Sequence, residues 1–389
     1  MERIQLKNVT TIVNGSTPST ANSENWDGDI AWITPKDLSN FQQRFISNGS
    51  RNITETGYNS CSTTMVPKGT VLLTSRAPIG YLAIASDPLC TNQGFKSLIC
   101  DANRLLPLYL YYWLSTKVEY LKSISDGTTF KELSKTTLEN VEIDLPDIET
   151  QQHIVGTIGT IDDLIENKIA ILQGLDDVLS AKFEAIVSTR GYSNKPLIRL
   201  VEREIKGNWG DEKPCERSRE AIVLRGTDIA GLAKYEATTP PIRYIQSKNI
   251  ENDCLKNNDV IIEMSGGGPK QPTGRSWVFD ESLFQKPVLC SNFCRGIRCH
   301  NIAETAVFFL SLKDLYKRRI TYTYELGTTG IKNLNITKLL AEQFLPNISA
   351  NQMSTLGNDF LAIQNYKSKT INEIRLLKQQ KAVLLSKYF

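Results

Sequence analysis

The sequence predicts an α+β chain in which two pseudo-repeated α/β globular domains are separated by two long helices paired as an antiparallel coiled coil. Three observations carry this. The segment GTTFKELSKTTLENVEIDLP, Gly127 to Pro146, returns 200 residues later as GTTGIKNLNITKLLAEQFLP, Gly327 to Pro346. Each copy leads into a long stretch whose apolar positions recur in alternating steps of three and four, the seam spacing of a coiled coil. The two stretches carry opposite net charge.

The first domain, residues 1–146, alternates short β-branched runs such as VLLT and LAIAS with Gly, Pro and Asn turns, and holds one helical patch near Pro107–Lys122. This composition predicts a mixed α/β domain with a curled antiparallel sheet. The second domain, residues 188–346, repeats the plan in the same order. WITPKDL (Trp32 to Leu38) matches VLRGTDI (Val223 to Ile229), and GTVLLTSRAPIG (Gly69 to Gly80) matches NDVIIEMSGGGP (Asn258 to Pro269). TNQGFKSLIC (Thr91 to Cys100) matches SNFCRGIRC (Ser291 to Cys299), and YLYYWL (Tyr109 to Leu114) matches VFFLSL (Val307 to Leu312). At 389 residues and 40% hydrophobic, the chain is long enough for more than one core.

The first long helix, residues 147–187, has its seam at Ile154, Ile158, Ile161, Ile165, Ile169, Leu172, Leu175, Leu179, Phe183 and Ile186. The second, residues 347–389, has Leu356, Phe360, Ile363, Lys367, Ile371, Ile374, Leu377, Lys381, Leu384 and Tyr388. Two lysines weaken this second seam. The first helix holds eight acids against two bases, a net of −6, and the second six bases against two acids, a net of +4. Like helices repel and unlike ones attract, so the two are expected to pair with each other within one chain. A chain that closes on itself pairs them antiparallel. At 1.5 Å per residue, the helices would hold the domains ~50–60 Å apart, roughly one and a half turns of B-DNA.

The absence of any run of ~18–20 apolar residues predicts no membrane span, and the charged start MERIQLKN shows no apolar signal region, so a cytoplasmic protein is expected. Eight cysteines in so long a chain do not suggest a disulfide framework. The cluster Cys290, Cys294, Cys299, His300 lacks the paired C-x2-4-C spacing of a structural zinc site. Its match to the segment bounded by Cys90 and Cys100 favours plain strand cysteines.

The doubled plan, WDGDIAWITPKDL near the start, Gly-Thr-Thr before each Leu-Pro, and LPDIETQQHIVGTIGTIDDLI opening a long helix together resemble the specificity subunit of type I restriction–modification systems. The resemblance covers essentially the whole chain. It implies that each globular region is a target recognition domain reading one half of a split DNA sequence. The helices would act as a ruler for the spacer between half-sites. It implies double-stranded DNA and two modification (methyltransferase) subunits as partners, with restriction (translocase/nuclease) subunits joining through the methyltransferase. This chain would be non-catalytic and carry no cofactor; S-adenosylmethionine, ATP and Mg2+ are expected on the partner subunits.

The residues agree that catalytic motifs are missing. PPIRY (Pro240–Tyr244) lacks the Asn or Asp that opens an adenine-methyltransferase loop, and SGGGP (Ser265–Pro269) lacks the Gly-Lys-Ser/Thr of a phosphate loop. Pro146-Asp147 with Glu166-Asn167-Lys168 formally fits a metal-nuclease pattern, but ~28 Å of helix would separate Asp147 from Glu166. His153 and His300 are the chain's only histidines, and His153 beside the helix start suits a surface or capping role.

Base readers are expected among polar and guanidinium side chains in turns, because Arg reads guanine and Asn or Gln reads adenine. In the first domain these are Ser16, Thr17, Thr34, Lys36, Ser75, Arg76, Asn92, Gln93, Lys96, Thr128 and Thr129. In the second they are Arg225, Thr227, Ser265, Lys270, Gln271, Arg275, Asn292, Arg295, Arg298, Thr328 and Thr329. The partner-binding set is Ile154, Ile158, Ile165, Leu172, Leu179, Phe360, Ile363, Ile374 and Leu384. The domains are not basic tails: the first has 13 bases and 14 acids, the second 24 and 18. A second reading of the same features is a coiled-coil scaffold joining two protein-binding modules.

Overall fold

A computed structural model describes residues 2–39, 41–127, 131–236, 238–266, 271–327 and 332–389. The chain divides into two compact units: Met1–Glu166 with Leu377–Phe389, and Asn167–Leu376. The division falls inside both long helices, Ile148–Arg190 and Ala350–Tyr388.

In the first unit, a five-stranded sheet runs in the order Thr10–Asn14, Phe95–Cys100, Val71–Ser75, Ile79–Ala85, Phe45–Ile46. A three-stranded sheet runs Arg51–Ile53, Trp26–Ile33, Cys90–Thr91. In the second unit, a four-stranded sheet runs Val201–Ile205, Cys294–Cys299, Val260–Glu263, Ser276–Val278, and a three-stranded sheet runs Ile242–Gln246, Ser218–Leu224, Val288–Cys290. Strand for strand, the matched sequence segments occupy the same places. The matched helices are Pro107–Thr116 and Ile302–Lys317. A short ribbon closes each unit beside its helix start: Glu2–Gln5 on Glu142–Leu145, and Tyr192–Pro196 on Phe344–Pro346.

The single curled antiparallel sheet expected for each domain is corrected to more than one sheet in each, with parallel pairings among them. Trp32 pairs with Cys90, and Ile222 with Val288, in parallel register. A parallel pair requires a long crossover, and here the chain that forms most of the other sheet supplies it. Short apolar runs do not encode strand direction, so the pattern could not show this.

The first long helix starts where Asp147 Oδ1 accepts the Thr150 amide at 2.7 Å, which holds the Asp147 carboxyl below its usual range. Gln151, fully buried, fixes this start to the domain: its Nε2 donates to the carbonyls of Arg104 and Pro146, and its Oε1 accepts the Leu106 amide. The second start keeps only Gln352 of the glutamine pair and uses it differently. Ser349 Oγ accepts the Gln352 amide at 3.3 Å, while Gln352 Oε1 accepts the Ser349 amide at 3.2 Å, a reciprocal cap. Gly191, at φ 64°, ends the first helix with its amide on the Val187 carbonyl.

Both helices contribute to the domain cores. In the first unit Ile154 and Ile158 pack with Tyr109, Leu110 and Trp113, joined by Leu384, Leu385, Tyr388 and Phe389. In the second, Leu179, Phe183, Leu356 and Phe360 pack with Phe308, Phe309 and Leu312. Each fully buried large apolar side chain contributes roughly 1.5–3 kcal/mol. Among the described residues no helix is long and apolar enough to cross a membrane.

Candidate nucleic-acid interface

In each domain the strand ends and turns converge on one edge. In the first domain the Ser16 amide donates to the Thr91 carbonyl, and the Asn92 amide to the Ile33 carbonyl, both at 3.0 Å. The Ser75 amide donates to the Gly94 carbonyl at 2.7 Å, and the Leu133 amide to the Ser75 carbonyl at 2.9 Å. Side chains tighten the same edge. Thr17 Oγ1 bonds Gln93 Oε1, Asn92 Oδ1 accepts the Gly94 amide, and Asp37 Oδ2 accepts both the amide and hydroxyl of Thr34. Gly15 is required by crowding, since a Cβ there would lie 2.1 Å from the Thr91 carbonyl oxygen.

The second domain builds the edge again. A Cβ at Gly207 would lie 2.0 Å from the Ser291 carbonyl oxygen. The Ser291 amide donates to the Leu224 carbonyl, and the Met264 amide to the Phe293 carbonyl, both at 2.8 Å. Ser265 Oγ bonds Asn333 Oδ1, and Arg225 holds Asp228 through Nε at 2.8 Å.

The predicted readers sort by what their side chains already hold. Lys36, Gln93, Thr227, Gln271 and Asn292 are exposed. Ser16, Thr17, Thr34, Arg76, Asn92, Arg225, Ser265 and Arg295 are half-buried at or beside the edges. Arg76 reaches Glu132 at 3.4 Å, and Arg295 reaches Glu204 at 3.1 Å. Ser75 and Lys96 are buried; burial holds the Lys96 ammonium below its usual pKa although Glu132 stands 3.7 Å away.

Besides Arg225, which the buried Asp228 holds, two more arginines are claimed by buried acids. Arg275 Nε donates to Glu263 at 2.9 Å, and Arg298 grips Asp259 through Nε and Nη2 at 2.8 and 2.7 Å. Both acids are nearly inaccessible, so each arginine neutralises a buried carboxylate. Arg298 also sits at the far end of its strand from Cys294 and is not brought to the edge. Thr128, Thr129, Lys270, Thr328 and Thr329 lie outside the described residues.

The partner-binding set is placed inside the chain. Ile154, Ile158, Ile165, Leu172, Leu179, Phe360 and Ile374 are buried, and Ile363 and Leu384 half-buried, so they close the chain's own cores and helix pair. The apolar surface open on the first helix is a different row, Leu164, Ile171 and Val178, spaced by seven and each 45–48% exposed. That row was readable as a second heptad offset from the first.

Sequence reasoning also missed the polar contacts that hold each domain to its helices. Arg44, 6% exposed at its side chain, donates to Glu166 and Asp163 and reaches the Gly159 carbonyl. Tyr112 donates to Asp162 at 2.8 Å, and Lys381 reaches the same carboxylate at 2.7 Å. In the second unit Tyr235 and Lys367 both hold Asp176. Lys168–Glu373 and Lys182–Asp359 flank these at 2.6 Å. In the second unit Lys168, Asp176 and Lys182 meet Glu373, Lys367 and Asp359, in reverse order along the second helix, so the two helices run antiparallel there.

Cys90, Cys290, Cys294 and Cys299 are buried strand residues and Cys100 a half-buried one. Burial pushes the thiols of Cys90 and Cys294 up to about 11 and those of Cys100 and Cys299 up to about 12. Among the described residues no group of three or more His, Cys, Asp or Glu side chains is gathered to hold a metal ion.

The type I restriction modification DNA specificity domain family matches residues 1–176. The MjaIX type I restriction enzyme specificity subunit of Methanocaldococcus jannaschii is 39% identical over 267 residues, 67% of this chain and 61% of the relative. The HindI specificity subunit of Haemophilus influenzae is 31% identical over 164 residues, 40% of this chain and 35% of the relative. The chain thus spans about three fifths or less of the length of these relatives. The crystal structure of a type I restriction–modification S subunit from M. genitalium matches in fold at TM-score 0.56 and 14% identity, covering 100% of this chain and 96% of that one. Residues 1–176 thus match the type I restriction modification DNA specificity domain, and the chain is similar to the specificity subunits of type I restriction–modification systems in sequence and, in fold, to a solved one.

Proposed function

We propose that this chain is the DNA-reading specificity subunit of a type I restriction–modification complex and is itself non-catalytic. Each domain reads one half of a bipartite target in double-stranded DNA. The helix pair sets the spacer and docks two modification subunits, and restriction subunits join through them. S-adenosylmethionine, ATP and Mg2+ belong to those partners.

The observation that carries this reading is the repeated edge. The same strand ends and turns present exposed Gln93 and Lys36 in one domain and exposed Asn292 and Thr227 in the other. Rigid backbone beneath an exposed amide is what base-edge recognition needs, because Asn or Gln must meet both polar atoms of adenine at once. A target in two parts needs two such edges. For the modification subunits, the open row Leu164, Ile171, Val178 offers a helix-in-groove surface on the first helix.

The test is an exchange of residues 1–146 for the corresponding domain of another specificity subunit, followed by mapping of methylated sites in a host carrying the modification subunit. One half-site changes and the other stays. A change in both, or in neither while methylation persists, would contradict the reading.

A further inference from the structure

The buried polar contacts of the helix pair form a repeated cell. Asp162 and Asp176 lie fourteen residues apart on the first helix, and their partners Lys381 and Lys367 lie fourteen apart on the second. Lys168 with Glu373 and Lys182 with Asp359 repeat at the same interval. Each central carboxylate is capped by a tyrosine from its own domain, Tyr112 or Tyr235. The two tyrosines do not correspond in the domain repeat, since Leu310 stands where Tyr112 does in the matched segments, so the repetition belongs to the helices.

Lys367 is 8% exposed and Asp162 6%, and burial holds the Lys367 ammonium below its usual pKa even with Asp176 beside it. Charges this far from water are tolerated only when the opposite charge faces them. The repeat shows what a second copy would bring. Carried across by 200 residues, Asn167 stands where Lys367 does, and Ala181 where Lys381 does. A second copy of the first helix would therefore leave both aspartates without a cation. In the converse case, Ala362 and Leu376 would replace Asp162 and Asp176, leaving the buried Lys367 and the half-buried Lys381 unpaired. A slip of seven residues also separates every pair, although it preserves the apolar seam.

We propose that the Asp162–Lys381 and Asp176–Lys367 pairs are a partner code: they commit the first helix to the second helix in one register and exclude a second copy of either helix from the seam. Apolar heptads alone would accept both arrangements. The code is independent of DNA reading and holds whether or not the domains bind DNA.

Four full-length proteins test this: wild type, an acidic-seam variant (Lys367→Asp with Lys381→Asp), a basic-seam variant (Asp162→Lys with Asp176→Lys), and a reversed variant carrying all four changes. Melting midpoint and mass by sedimentation equilibrium are the readouts. The single-sign variants lose several degrees or more, and the reversed variant recovers more than half of that loss as a monomer near 43.7 kDa. The acidic and basic variants mixed and annealed give a 1:1 heterodimer that neither gives alone. A reversed variant as unstable as its parents overturns the code. So do single-sign variants as stable as wild type, homodimers of the wild-type chain closed through this seam, or mixed variants that do not associate while the reversed variant is restored.

Discussion

Arg44 Nε donates to Glu166 Oε1 at 3.0 Å, linking the residue before the strand Phe45–Ile46 of the first domain to the long helix Ile148–Arg190. The same guanidinium bonds Asp163, and the Arg44 amide adds a bond to Glu166 at 2.9 Å. Burial alone would lower the Arg44 pKa, but Glu166 and Asp163 outweigh it and raise it, so the group is a fixed cation at any workable pH.

Arg44→Leu removes that cation and leaves Glu166 half-buried without its partner. The expected loss is about 2–3 kcal/mol, less than the full cost of a broken buried pair because Asp163 is largely exposed. Chemical denaturation followed by tryptophan fluorescence checks it; Trp26, Trp32 and Trp113 all report on this domain. A change below about 0.5 kcal/mol, the size of an ordinary surface substitution, would show that the contact does not hold the domain.

Gln151→Leu keeps the volume and deletes three hydrogen bonds. The Leu106 amide and the carbonyls of Arg104 and Pro146 lose this partner, for an expected loss of about 2–3 kcal/mol. The equivalent change at Gln352, on an exposed reciprocal cap, costs only about 0.5–1 kcal/mol. Equal losses at the two positions would contradict the different roles assigned to them.

These two glutamines show how far the sequence was legible. Periodicity exposed both helices, and the doubled Leu-Pro marked where each begins, because helix seams and turn residues are local signals. Gln151 was visible as part of a motif, yet its partner Arg104 lies 47 residues away and nothing local names it. Arg44 had no signal at all, since its carboxylates are 119 and 122 residues distant. The lysines at 367 and 381 read as weaknesses of the seam; Asp176 and Asp162 turn them into ion pairs. At the two domain edges, turn chemistry located the polar residues. It could not separate Asn292, which is open, from Arg298, which Asp259 holds.

Asp37 gives a pH dependence. Burial raises its pKa, but the bonds from Thr34 and Ser50 outweigh burial and place it below 3.8. A group with a lowered folded pKa stabilises fully above its unfolded value, and the contribution is lost as pH falls below 3.8 through the folded value. Asp37→Asn should therefore lower the melting midpoint at pH 7 and narrow its gap to wild type as pH drops from 4 toward 2. A gap that stays constant over that range would contradict the assignment.

Gln93→Ala and Asn292→Ala should each relax one half of the target. Loss of a bidentate base contact costs about 1–3 kcal/mol of discrimination, so competition binding with half-site variants should show roughly ten-fold or greater relaxation in one half only. Lys36→Ala, if Lys36 meets phosphate, should weaken binding to all sequences and reduce the salt slope by about one. Relaxation of both half-sites by either amide change would contradict the two-edge account.

The central claim is that two reading edges are mounted in the same way on one helix pair that measures the distance between half-sites. One heptad added to both helices, between Ile169 and Ala170 and between Asn372 and Glu373, leaves Lys168–Glu373 on one side and Asp176–Lys367 on the other. Methylated sites mapped in a host carrying this variant should keep both half-sites and show a longer spacer. Methylation retained at the original spacing would contradict the account.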